Sequence, residues 1–98
     1  MNINDYLVQN RDSSGMAKHV RCKDGFRVSV QTSQFHYCLP REDVGPWTHV
    51  ELGFPSLPPP EYMMEFCEDP QTPTQTVYAR VPVELVDMMI EEHGGYQE

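Results

Sequence analysis

Ninety-eight residues, 39% of them hydrophobic, with fifteen acidic side chains against seven Lys and Arg, make a small chain of formal net charge −8. That length suits one domain, residues 1–98, with a modest core. It holds no apolar run near the roughly 18 residues a membrane span requires, and its overall charge disfavours direct binding of nucleic acid.

The charge is unevenly placed. Residues 1–49 carry six basic side chains (Arg11, Lys18, Arg21, Lys23, Arg27, Arg41) against five acidic ones, whereas residues 50–98 carry Arg80 against ten. The first five residues lack the basic and apolar regions of a signal peptide. The three cysteines (Cys22, Cys38, Cys67) are an odd number without a Cys-x-x-Cys spacing. Together these point to reduced thiols in a cytoplasmic protein.

In chain order, Asn2 to Gln9 reads as a short helix. Asn2 or Asn4 caps it, Asp5 suits its first turn, and Ile3 and Leu7 (i, i+4) face the core. Arg11 to Gly15 is a polar loop. A hairpin follows, predicted over Met16–Cys22 and Phe26–Gln31. A two-residue loop would mix charged and apolar groups on each face. A three-residue loop, Lys23-Asp24-Gly25, pairs Cys22 with Phe26, Val20 with Val28 and Lys18 with Val30, and a one-residue slip would invert every side chain. Thr32 to Tyr37 is expected to continue the strand past a bulge that returns Phe35 and Tyr37 to the core.

Cys38 to Pro46 is a loop. The third strand is predicted over Trp47 to Phe54, with Thr48, Val50, Leu52 and Phe54 on one side and Trp47, His49 and Glu51 on the other. Pro55 to Glu61 is an extended connector, and Tyr62 to Cys67 fits either a short strand or a helical turn. Thr76 to Val81 is a fourth strand, with Val77, Ala79 and Val81 inward. Pro82 then starts a helix whose stripe is Leu85, Val86, Met89 and Ile90 and whose end is Gly94-Gly95. The expected fold is α+β: a small antiparallel sheet of about four strands with a C-terminal helix, and the short N-terminal one, packed on one face.

This pattern leaves the second sheet face to polar and aromatic groups. Arg21, Arg27, Ser29, Gln31, Trp47, His49, Tyr78 and Arg80, with His19 and Glu51, are expected to share it. That mixture suits an anionic or heteroaromatic ligand or a protein partner. His36, Cys38, Cys22 and Cys67 match no structural zinc spacing, so no metal or cofactor is assigned. Nothing activates a Cys–His or Glu–His pair, and there is no phosphate-cradling glycine loop or serine nucleophile elbow, so no catalytic residue is assigned.

From Cys22 to Gly95 the chain resembles a group of short bacteriophage-encoded proteins of unassigned function. The resemblance rests on Cys22-Lys-Asp-Gly-Phe26, Ser29-Val-Gln-Thr-Ser33, His36-Tyr-Cys-Leu-Pro-Arg41, Val50-Glu-Leu-Gly-Phe-Pro-Ser56, Glu68-Asp-Pro70, Val81-Pro-Val-Glu-Leu-Val86 and His93-Gly-Gly95. It implies an accessory protein acting in the bacterial host cytoplasm and carries over no catalytic or binding residue.

Two functional expectations follow, with an enzyme as a third. The first is stoichiometric, inhibitory binding of a host or defence-system protein, such as a CRISPR complex, by the acidic half through Glu65, Glu68, Asp69, Glu91 and Glu92. The second is a small-ligand binder that sequesters a nucleotide. Arg21, Arg27 and Arg80 would hold its phosphates, and Trp47 or Tyr78 would stack on its base. A homo-oligomer stays open, and no membrane partner is expected.

Overall fold

A computed structural model describes residues 1–97. Its elements are α1 (Ile3–Asn10), β1 (Val20–Arg21), β2 (Arg27–Gln31), β3 (His49–Gly53), a 3₁₀ helix (Glu61–Phe66), β4 (Val77–Pro82) and α2 (Val83–Glu92). The four strands form one antiparallel sheet in the order β1-β2-β3-β4. None of the described helices is long and apolar enough to cross a membrane.

Both helices follow from local sequence. The Asn2 side chain accepts from the Asp5 amide and caps α1, which buries Ile3 and Leu7. α2 begins directly after Pro82 and buries Val86, Met89 and Ile90. These three side chains contribute about 1.5–3 kcal/mol each on leaving water. They join Val20, Val28, Val30, Val50, Leu52 and Val81 of the sheet in one core. The two helices are also tied to each other, because the Ile3 amide donates to Asp87 Oδ1 at 2.8 Å.

The hairpin has the three-residue loop and the expected register. Val20 faces Val28, Arg21 faces Arg27, and the Cys22 amide donates to the Phe26 carbonyl at 2.8 Å. Gly25 closes the turn at φ +95°, a backbone conformation that a side chain would strain. Asp24 braces it twice: Oδ1 accepts from the Phe26 amide at 2.9 Å and Oδ2 meets His93 Nδ1 at 2.7 Å. The His93 ring in turn stacks on Phe26 at 4.0 Å.

Several expectations fail where non-local contacts intervene. β1 stops at Val20, so Lys18 does not pair with Val30. Instead, residues 10–18 fold back on themselves, with the Lys18 amide donating to Asn10 O and Ala17 bridging Arg11. The outer edge of β1 is taken by the C-terminal segment, where Lys23 N donates to Gly95 O and Gln97 N to Arg21 O. Thr32 to Tyr37 is not a strand. Ser33 turns the chain, its hydroxyl accepting from Phe35 N at 3.0 Å and meeting His36 Nδ1 at 2.6 Å, which leaves Phe35 78% exposed and Tyr37 exposed as well. Thr48 and Phe54 lie outside β3 and are exposed. Residues 61–66 take the helical alternative.

The largest correction is in β4. Val50 faces Val81 and Leu52 faces Tyr78, so two residues of β4, Ala79 and Arg80, stand opposite Glu51 alone. This bulge reverses the alternation along the strand. Tyr78 and Val81 are both buried, whereas Val77 and Ala79 are only partly so. Arg80 takes up the irregularity at φ +50°.

Candidate functional site

The shared polar face expected of the sheet does not exist as such, because four of its ten members are inside. Trp47 is 3% exposed and locked from three directions. Its amide donates to Asn4 Oδ1 at 2.8 Å, its carbonyl accepts from Asn4 Nδ2 at 2.9 Å, and its indole N–H donates to the Glu42 carbonyl at 3.2 Å. The Arg11 guanidinium lies 5.2 Å from its ring centre. Tyr78, moved inward by the bulge, is 1% exposed and donates to Pro73 O at 2.5 Å. Neither ring can stack on a nucleotide base.

Ser29 and Gln31 are buried too, under the folded-back segment. Gln31 Oε1 accepts from the Ala17 amide at 2.8 Å, and its Nε2 donates to Ala17 O at 3.0 Å and to Ser29 Oγ at 3.0 Å. The side-chain amide supplies to Ala17 the donor and acceptor that a longer β1 would have found in its neighbour's backbone. These two residues are architecture.

His49 is half-buried, its Nδ1 2.8 Å from Thr48 Oγ1. Arg80 is exposed but belongs to another neighbourhood. Its guanidinium lies 5.6 Å from the centre of the Tyr37 ring, and that of Arg41 lies 5.5 Å from the same ring. The Tyr37 amide donates to Glu51 Oε2 at 3.0 Å. Arg80 sits on β4 and Arg21 on β1, three strand spacings away, or about 14 Å at roughly 4.8 Å per spacing. One phosphate group cannot bridge them.

Arg21 and Arg27 remain together. They face each other across the hairpin on the side away from the core. Their backbone groups bond outward, Arg21 O to Gln97 N and Arg27 N and O to Ser56, so theirs is the non-hydrogen-bonded pair, in which side chains approach most closely. Next to Arg21 opens a cavity of about 490 Å³ lined by Tyr6, Asn10, Lys18, His19, Arg21, Tyr96 and Gln97. The Tyr6 and Tyr96 rings stack there at 5.2 Å, and the Tyr6 hydroxyl donates to the carbonyls of Lys18 and His19 at 2.9 and 3.0 Å. Burial raises the Tyr6 phenol, against the opposing charge of Arg21 nearby. The part played by Tyr6 and Tyr96 escaped the sequence reading. Tyr96 lies beyond the helix-stopping glycines, where nothing local reveals that the chain returns along β1.

The second charged surface is acidic. Glu65, Glu68 and Glu91 are exposed. The Tyr62 hydroxyl donates to the Glu92 carboxylate, which joins the 3₁₀ helix to the end of α2. Burial, and the Glu92 carboxylate beside it, push the Tyr62 phenol well up. Asp69 is committed to its own loop, accepting from Gln71 N at 3.1 Å and from the Thr72 hydroxyl at 2.9 Å. Glu92 and Asp69 therefore have structural partners that Glu65, Glu68 and Glu91 lack. Among the described residues the one ion pair is His93–Asp24, and no Lys or Arg stands within 4.0 Å of a carboxylate.

The thiols offer little chemistry. Burial, with Asp24 adding to it, pushes the Cys22 thiol up to about 11, the opposite of an activated nucleophile. Cys38 is buried and its Sγ donates to the carbonyls of Ser33 and Pro40. No three His, Cys, Asp or Glu among the described residues are grouped to hold a metal ion. Compared with protein-family models, with curated proteins and with solved structures, the chain finds no match in any of the three.

Proposed function

We propose that this chain is a non-enzymatic accessory protein that binds a host protein stoichiometrically, presenting an acidic face to a basic surface of its partner, with a bacterial defence effector such as a CRISPR complex as the partner class. The observation that carries this reading is the Tyr62–Glu92 contact. It ties the acidic end of α2 to the acidic 3₁₀ helix, and no Lys or Arg pairs with their carboxylates among the described residues. An uncompensated surface of this kind raises the association rate with a basic groove and repels acidic competitors. The phage resemblance supplies the class of partner, and both thiols offered as nucleophiles, Cys22 and Cys38, are buried.

The test is capture from a bacterial host lysate with the intact protein and with a Glu65→Lys, Glu68→Lys, Glu91→Lys variant. These three exposed residues hold no structural partner, so the variant should melt like the parent. The expected result is a stoichiometric partner retained by the parent, lost with the variant and released by salt. A partner retained equally by both proteins would sink the acidic-face reading.

A further inference from the structure

We propose that the cleft beside Arg21 is a binding site for a small molecule carrying two or more phosphoryl groups. The proposal rests on the cleft alone and does not depend on the acidic-face reading. Arg21 lines the cleft, and Arg27 stands directly opposite it on the neighbouring strand, outside the lining. Like charges directly opposite each other on a sheet destabilise it, and here they occupy the non-hydrogen-bonded position, where side chains stand closest. No carboxylate among the described residues lies within ion-pair distance of either guanidinium. An isolated hairpin gains nothing from this arrangement. An anion with several oxygens does, because each guanidinium fork can take two of them.

The walls extend the same chemistry. His19 lies two residues before Arg21 and Lys18 beside it, and both line the cavity together with Gln97 and with Asn10, whose side-chain amide donates to Tyr6 O. Two of the seven Lys and Arg residues of this acidic chain, Lys18 and Arg21, thereby line one cavity, with Arg27 across the strand pair from Arg21. Their placement is prepared in advance. Tyr6 holds the backbone at Lys18 and His19 through its hydroxyl, Tyr96 packs on Tyr6, and the Gln97 amide fixes Arg21. A cavity of about 490 Å³ falls in the range of small-molecule sites.

The global charge argues for a small ligand over a polynucleotide. An extended polyanion reaching beyond the cleft would meet the field of a chain of net charge −8, whereas a compact oligophosphate is held within the basic end. Trp47 and Tyr78 take no part. Any heterocycle carried by the ligand would meet the Tyr6–Tyr96 stack instead.

The experiment is isothermal titration of the intact protein with inorganic triphosphate, with ATP and with a single-stranded oligonucleotide, at low and moderate salt. It is repeated on Arg21→Ala/Arg27→Ala, Lys18→Ala and, as a control, Arg80→Ala. Saturable 1:1 binding of triphosphate is expected, weakened by about tenfold or more in the double variant, as loss of charge-assisted hydrogen bonds implies. A smaller weakening is expected in Lys18→Ala and none in Arg80→Ala. ATP binding tighter than triphosphate adds a base contact at the tyrosines, and equal binding places recognition in the phosphates. Both replaced arginines are exposed, so the double variant should melt no lower than the parent in the absence of ligand, and only the parent should gain melting temperature on adding triphosphate. Absence of saturable binding to the parent, equal binding to the double variant, or an oligonucleotide that outcompetes triphosphate would each overturn the proposal.

Discussion

Gln31→Ala tests whether a side chain that strand alternation assigns to a binding face in fact completes the sheet. Gln31 is 4% exposed and makes three hydrogen bonds, two of them to the single residue Ala17, which is itself buried. Truncation leaves the Ala17 amide and carbonyl without partners. Each such group costs about 1–3 kcal/mol when it stays dry, so the loss should be about 2–6 kcal/mol. Against a total of about 5–15 kcal/mol for a domain, that is a large share. It corresponds to a fall of roughly 10 °C or more in Tm for a chain of this size. Urea unfolding gives the free energy, and amide exchange at Ala17 localises it. A loss below about 1 kcal/mol, or an Ala17 amide no less protected than before, would show that water or a shifted loop replaces the clamp, and the reasoning would fail.

Other consequences are as direct. Asp87 is half-buried, and desolvation, with Glu84 adding to it, raises its carboxyl against the lowering effect of the Ile3 amide. A folded-state value above the unfolded one means that ionisation weakens the fold above that range and that the penalty is relieved as pH falls through it. Asp87→Asn keeps an acceptor for Ile3, so its urea midpoint should exceed the parent's at pH 7 and converge on it at pH 3. A Cβ at Gly45 would lie 2.5 Å from the Trp47 ring, so Gly45→Ala must displace the indole or the loop. Overpacking of this kind costs about 1–3 kcal/mol, and the only tryptophan of the chain should report it as a red-shifted emission.

Local pattern made much of this fold legible. The Asn2 cap, the Ile3/Leu7 spacing and the α2 stripe depend on residues within a turn or two of one another. The hairpin register was readable because one slip would exchange Val20, Cys22, Phe26 and Val28 for charged residues, a cost no later contact could offset. The candidate site was far less legible. Arg21 and Arg27 stand opposite each other as expected, but Ser29, Gln31, Trp47 and Tyr78 were assigned to the solvent face by parity and lie inside. Parity assumes regular strands with one bare face. The chain violates both conditions, with a bulge at Ala79–Arg80 and a folded-back segment 10–18 over β2.

The hairpin shows where the division falls. By itself the sequence determined its turn, its register and the opposition of two arginines, since apolar alternation and Gly25 admit one solution. Only the tertiary structure decided what Arg21 faces. The cavity beside it is built by Tyr6 from the first helix and by Tyr96 and Gln97 from the C-terminal segment, brought together across nearly the whole chain. Likewise the acidic residues were present as composition from the start, but only the fold brought Tyr62 against Glu92. Packing contacts between distant segments carry no local signature, because their free energy resides in which surfaces meet and not in the residues of any one stretch.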